Sequence, residues 1–210
     1  GGPEYALDNY GPPAPGASIE DFNHYDPINT YQEIRKYTGD SYYDDVIDVP
    51  VYQYRDTFVI ASGGKVQTHH INTVGLKDHY INTGDTASRD AVLLLNLNSA
   101  ANPGFSYDSN PTARRWNNAR GNSYCLLACL PYEQVGAAPK APPEEIKDVL
   151  LGIIDQWIDG TDHTGAPSPC TAFQVMMGGI VLYALIAYHD RFGDAAIPPK
   201  VKELLDHMWT

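Results

Sequence analysis

The amino-acid sequence predicts an all-α fold: tandem antiparallel helical hairpins forming an open helical solenoid, with an extended N-terminal arm. Three observations carry this expectation. In the C-terminal stretch Cys170–Thr210 a long apolar run stops at Phe192-Gly193-Asp194, and an amphipathic run begins after Pro198-Pro199. Gly193 can take the left-handed conformation that closes a helix, and a proline at the first helical position costs no hydrogen bond. The same glycine-centred ending recurs at Gly39, Gly84 and Gly136, so the four glycines lie 45, 52 and 57 residues apart in turn. That spacing fits one helix–turn–helix hairpin per repeat. Finally, Val201, Leu204, Leu205, Met208 and Trp209 share one helical face, and Ile146, Val149, Leu150, Ile153 and Ile154 repeat that stripe at an offset of 55.

Residues 1–24 are dense in proline and glycine and show no period, which predicts an extended arm that wraps the body or reaches a neighbour. Residues 25–210 then form the helical domain. Inner helices are expected near 27–37, 69–82, 113–135 and 170–192, and outer helices near 41–56, 86–97, 143–158 and 198–209. Pro50 should kink or break the first outer helix, and Ser41 with Asp44 forms a capping pair at its start. The run after Cys170 is apolar almost all round, so the last inner helix should be buried on most sides. Inner-to-outer turns are mostly tight Gly-Asp turns, and only the third, at Gly136, is lengthened, by AAPKAPP. Outer-to-inner connections are long: FVIASGGKVQ, SAANPGFSYDSNPT and GTDHTGAPSP. Long loops at one end of a helical scaffold are where binding usually sits.

Composition narrows the partners. The 14 Lys plus Arg against 26 Asp plus Glu leave a net charge of −12, which repels phosphate backbones and argues against nucleic acid. The 170–188 run is interrupted by Gln174, two glycines and two tyrosines, so it predicts a buried helix and no membrane span. No charged n-region followed by an apolar h-region opens the chain. Low lysine content with plentiful Tyr, Asn, Gly and Thr points to an extracellular or cell-surface protein. Cys125, Cys129 and Cys170 are expected to be small buried thiols, with a single disulfide as the alternative.

The inner helices are polar at their starts. Tyr25, Asp26 and Asn29 open the first, Thr68 to Thr73 the second, Arg114 to Asn122 the third, and His163, Ser168, Thr171 and Gln174 the fourth. If parallel inner helices gather round an axis, these groups converge, and their N-termini add positive potential that favours an anion. His69 or His70 can act as a general base near neutral pH. Being adjacent, they point about 100° apart on a helix and do not form a simple metal pair. Arg114, Arg115 and Arg120 can hold a uronate or other anion; they can equally pair with the chain's many carboxylates. Asp26, Asp108, Asp159 and Asp162 offer an acid/base pair for glycoside cleavage, or turn and capping duty. Trp116, Phe105 and Tyr107 can stack on a sugar ring or plug a loop onto the body. Asn72 and Asn118 complete the rim. No zinc motif, phosphate-binding glycine loop, nucleophile elbow or EF-hand pattern is present, so no cofactor and no metal are expected.

The segments HHINTVGLKDHYINTGDTASRDAV and MMGGIVLYALIAYHDRFGDAAIPPKVKELLDHMW resemble hairpins of the (α/α) toroid superfamily, which includes six-hairpin glycosidases and polysaccharide lyases. The resemblance covers about residues 25–210. It implies a partial toroid with a sugar site at the N-terminal ends of the inner helices. Lyases of this kind use His or Tyr with Asn or Arg around a uronate carboxylate. The nearest positions here are His69, His70 and Tyr124 as catalytic groups, with Asn72, Arg115, Asn118 and Arg120 about the substrate. The chain departs from the family in carrying four hairpins, not six. Either it is an open arc, or another chain supplies the rest, or the toroid is incomplete and no longer catalytic. An open arc leaves apolar end faces that must be covered, by the arm or by a neighbouring subunit that propagates a ring or filament.

Two functions follow. The first is a carbohydrate-active or glycan-binding protein, lyase- or hydrolase-like, whose partner is a polysaccharide or oligosaccharide. His69, His70 and Tyr124 would do its chemistry, and Asn72, Arg114, Arg115, Trp116, Asn118, Arg120, Asp162, His163 and Gln174 would bind its substrate. The second is a non-catalytic, self-assembling extracellular module whose hairpins stack between subunits as a homo-oligomer or filament.

Overall fold

The computed structural model describes residues 26–67, 70–99, 119–159 and 175–209. The predicted arm at 1–24 lies outside them. The described chain is all-helical, with no strand among the described residues. Its α-helices are α1 (Pro27–Thr38), α2 (Tyr42–Val51), α3 (Val74–Thr83), α4 (Thr86–Asn98), α5 (Ala119–Cys129), α6 (Pro143–Asp159), α7 (Val175–Phe192) and α8 (Ile197–Trp209). None of the described helices is long and apolar enough to cross a membrane.

The chain divides into two compact units, Gly1–Asn102 with Pro131–Ala138, and Pro103–Leu130 with Pro139–Thr210. In the first, α1 packs on α2 and on α3, and α3 packs on α4. Ile28, Val46, Val51, Tyr54, Leu76, Val92 and Leu95 fill its core. The excursion at 131–138 adds a short 3₁₀ turn, Tyr132–Val135, against α4, and the Asn96 side chain donates to Ala138 O at 2.9 Å. In the second unit α7 packs on α5 and α8, α6 packs on α5 and α8, and Leu126, Leu150, Ile153, Ile154, Leu182 and Leu185 form the core. Val149, Leu150, Ile153 and Ile154 of the α6 stripe predicted from periodicity all lie in this core.

The glycine turns close helices as expected. Gly39, Gly84 and Gly193 stand at φ 70, 76 and 70°, and each donates its N–H to the carbonyl four residues back. In each case the following aspartate accepts a backbone N–H at or just before the start of the next helix, and Asp85 is the N-cap of α4. Asp40, Asp85 and Asp194 accept the N–H groups of Tyr42, Ala87 and Ala196, all at 2.9 Å.

Several expectations are corrected. Ser41 makes no side-chain cap bond, because Asp40 already takes the first free N–H of α2 and Asp44 turns to Arg35 at 2.9 Å. The first outer helix keeps its α-helical winding only to Val51, one residue past Pro50. The chain continues from Tyr52 to Ile60, wound as a π-helix. A proline has no N–H to give, so the turn that follows it is free to rewind. The second inner helix starts at Val74, not near 69, and His70 to Thr73 form a buried approach to it. The third inner helix is interrupted after Cys129, where Pro131 cannot donate to the α-helical ladder. The last inner helix is buried on one side only. Val175, Met176, Tyr183, Ile186 and Phe192 are exposed on α7.

Candidate functional site

In the first unit the starts of α1 and α3 meet at one carboxylate. Asp26 is the N-cap of α1, accepting Asn29 N–H at Oδ1 (3.0 Å), and its Oδ2 accepts Gly75 N–H in the first turn of α3 (2.9 Å). Burial pushes the Asp26 carboxyl above the usual carboxylate range, and these two backbone donors pull it back. The approach is so close that a Cβ on Gly75 would lie 2.5 Å from Asp26 Oδ1 and 2.6 Å from Asn29 N. Gln32, also on α1, donates its amide to Gly75 O at 3.2 Å.

The segment leading into α3 is pinned from below by Tyr54, which the π-helical stretch carries. Its hydroxyl donates to His70 O at 2.7 Å and accepts Asn72 N–H at 2.7 Å. Tyr54 is fully buried, and burial pushes its phenol far above the ordinary value, so it acts here as a neutral donor and acceptor. The His70 ring lies edge-on to Phe58, with centroids 6.0 Å apart. His70 and Asn72 are each 4% exposed.

Of the candidates read from the sequence, His70 and Asn72 are thus brought together through Tyr54. Arg120 and Tyr124 lie one turn apart on α5 of the second unit, both part-buried, with the guanidinium 5.9 Å from the phenol ring centroid. His69, Arg114, Arg115, Trp116, Asn118, Asp162, His163 and Gln174 lie outside the described residues. Cys125 and Cys129 are free thiols on α5. Burial pushes the Cys125 thiol up to about 12, which keeps it protonated and unreactive.

Reasoning from sequence missed three contributors. Gly75 left a signal, since a glycine inside a helical pattern marks close backbone approach. Tyr54 left none, being one tyrosine among fifteen. His79 stands five residues before Gly84 and is buried against Ser88, with Nδ1 2.9 Å from Oγ. Ser88 in turn accepts from Arg55 at 3.2 Å, and Arg55 also pairs with Asp85 and, through two bonds of 2.7 and 2.9 Å, with Asp56. Ser88 is fully buried and already bonded, so this Ser–His–Asp grouping is a packing network and presents no nucleophile.

No protein family, curated protein or solved structure matches this chain.

Proposed function

We propose that the chain is a carbohydrate-active or glycan-binding protein, a partial (α/α) toroid of tandem hairpins with its site at the N-terminal ends of the inner helices. One observation supports this above others: α1 and α3 present their starts side by side at Asp26, as an inner ring of parallel helices requires. Helix N-termini gathered at one end favour an anionic group such as a uronate carboxylate. In this reading Arg115 or Arg120 holds that carboxylate and Tyr124, of the same unit, transfers the proton, while His70 is sealed in the core of the other unit. A low-lysine chain of net charge −12 suits an extracellular setting. The test is a glycan array together with cleavage assays on uronate polysaccharides. Binding to uronate oligosaccharides is expected to weaken at least about tenfold in Arg120→Ala, the loss of one charge-assisted bidentate contact. Silence in both assays removes the proposal.

A second reading, a structural module that self-assembles, is favoured by the exposed apolar face of α7, where Met176, Tyr183 and Ile186 are 58, 55 and 44% exposed. An uncovered apolar helix face of this kind is an interaction surface. Light scattering decides it. Concentration-dependent association that Ile186→Glu abolishes supports the module, and a clean monomer at high concentration excludes it.

A further inference from the structure

The open side of α7 has a regular spacing. Met176, Gly179, Tyr183, Ile186 and Asp190 are all exposed and stand 3, 4, 3 and 4 residues apart. Alternating steps of three and four set side chains in one seam along a helix, the spacing by which two helices pack side by side. Val181, Leu182, Leu185 and Tyr188 face the core of the second unit, so the seam is a second contact face on the same helix. Gly179 lies within it, and a Cβ there would meet nothing within 4 Å. A glycine inside a helix weakens it relative to alanine, and nothing among the described residues recovers that cost. What the missing side chain offers is room for a large one on a facing helix.

Three observations make a second copy of the chain the occupant. Five of the twelve large apolar side chains exposed among the described residues lie on α7, and no other described element carries more than two. The surface that matches α7 is therefore α7 itself. Prolines and glycines interrupt each longer segment outside the described residues, 1–25, 100–118 and 160–174, so none offers an unbroken helical stripe of this length. Second, no charged residue lies between Val175 and Tyr188, so a chain of net charge −12 meets its own copy here with least repulsion. Third, the seam complements itself when reversed. A two-fold interface uses the same patch on both subunits. With the axis at Tyr183, Gly179 lies opposite Ile186 of the partner subunit, and small meets large twice. The two Asp190 carboxylates then stand about 21 Å apart along the helices, at 1.5 Å per residue. A parallel pairing would set glycine against glycine and Asp190 against its own copy, leaving a void and a repulsion.

We infer that α7 pairs antiparallel with α7 of a second copy, with Gly179 receiving Ile186 of the partner subunit, and closes a two-fold dimer. This dimer rests on the self-assembly reading and adds to it a register and a limit of two chains. Light scattering and sedimentation of the full chain test it, with circular dichroism to check helicity. The mass is expected to saturate at two chains. Ile186→Glu should weaken association about tenfold or more, since it sets a carboxylate in an apolar seam. Gly179→Lys should do the same, and the free space at Gly179 lets this variant keep the fold. Both changes in one chain should recover most of the loss, because the antiparallel register sets each new ammonium against a new carboxylate. The two single variants, mixed, should form heterodimers by the same pairing. Association of the parent with no rescue in either experiment, or growth beyond two chains, overturns the antiparallel dimer and leaves self-assembly standing. A parent that stays monomeric at high concentration overturns both and leaves the seam to a different protein.

Discussion

Asp26 shows how much one side chain settles. Its two oxygens each take a backbone N–H, one from α1 and one from α3, and no water is needed for either. Asp26→Ala strands both donors and is expected to cost about 2–3 kcal/mol in urea unfolding of the full chain, the range for a lost cap plus an unsatisfied buried group. Gly75→Ala should cost at least as much, because two of the atoms it would strike, Asn29 N and Ile28 Cβ, lie 2.6 Å from the new methyl and cannot swing away. His79 adds a pH dependence. Burial lowers its pKa below the ordinary value, with Asp85 opposing, Arg55 adding to the fall and Asp48 opposing. A depressed folded pKa means that the unfolded chain binds the proton first. The stability that neutral His79 provides is therefore complete above about pH 6.5 and is lost as pH falls toward the folded value. Urea midpoints at pH 7.5 and 5.5 should converge in His79→Gln; an unchanged difference between them would refute the assignment.

At the scale of elements, one turn is used three times. A left-handed glycine ends a helix, and the aspartate after it starts the next. Two of these aspartates also bind a cation from an earlier helical segment: Asp85 meets Arg55, and Asp194 meets Lys147 at 3.0 Å. Asp194 is held below the usual carboxylate range, first by the Ala196 N–H and then by the Lys147 ammonium. The third turn lacks an aspartate after Gly136, and its next helix opens on Pro143, which has no N–H to cap. Asp85→Ala removes a cap and leaves Arg55 with one fewer partner. It should lower stability by about 1–2 kcal/mol, and Asp40→Ala, which removes a cap alone, should lower it less. Thermal melts of the two variants side by side make the comparison.

For the whole molecule the division into two units has a consequence. The first unit is not continuous in sequence, because Tyr132, Val135 and the Ala138 carbonyl, which follow α5 in the chain, belong to it and cover α4. A fragment ending at residue 102 keeps every described helix of that unit but loses this cover. Amide exchange in α4 is expected to be faster in the fragment than in the intact chain, measured by mass spectrometry under native conditions. Equal protection in both would mean that the excursion contributes nothing. The described tryptophans, Trp157 and Trp209, both belong to the second unit.

The sequence by itself determined that the described chain is helical and where three of its turns fall. Gly39, Gly84 and Gly193 end helices through a backbone conformation that L-residues resist, and the stripe on α6 and α8 has the helical period, so both signals are local. Local pattern also made Asp26 visible as a rim residue. What it could not supply is who meets whom. Tyr54 joins His70 to Asn72 across 16 and 18 positions, Gln32 reaches Gly75 across 43, and Asp26 reaches Gly75 across 49. Such pairings are decided by how α1, α2 and α3 pack, and no propensity records them. The same holds for the rewinding after Pro50, and for the apolar face of α7 that the described chain leaves open. Only tertiary structure decided that His70 is sealed in a core, because burial is a property of the packed chain.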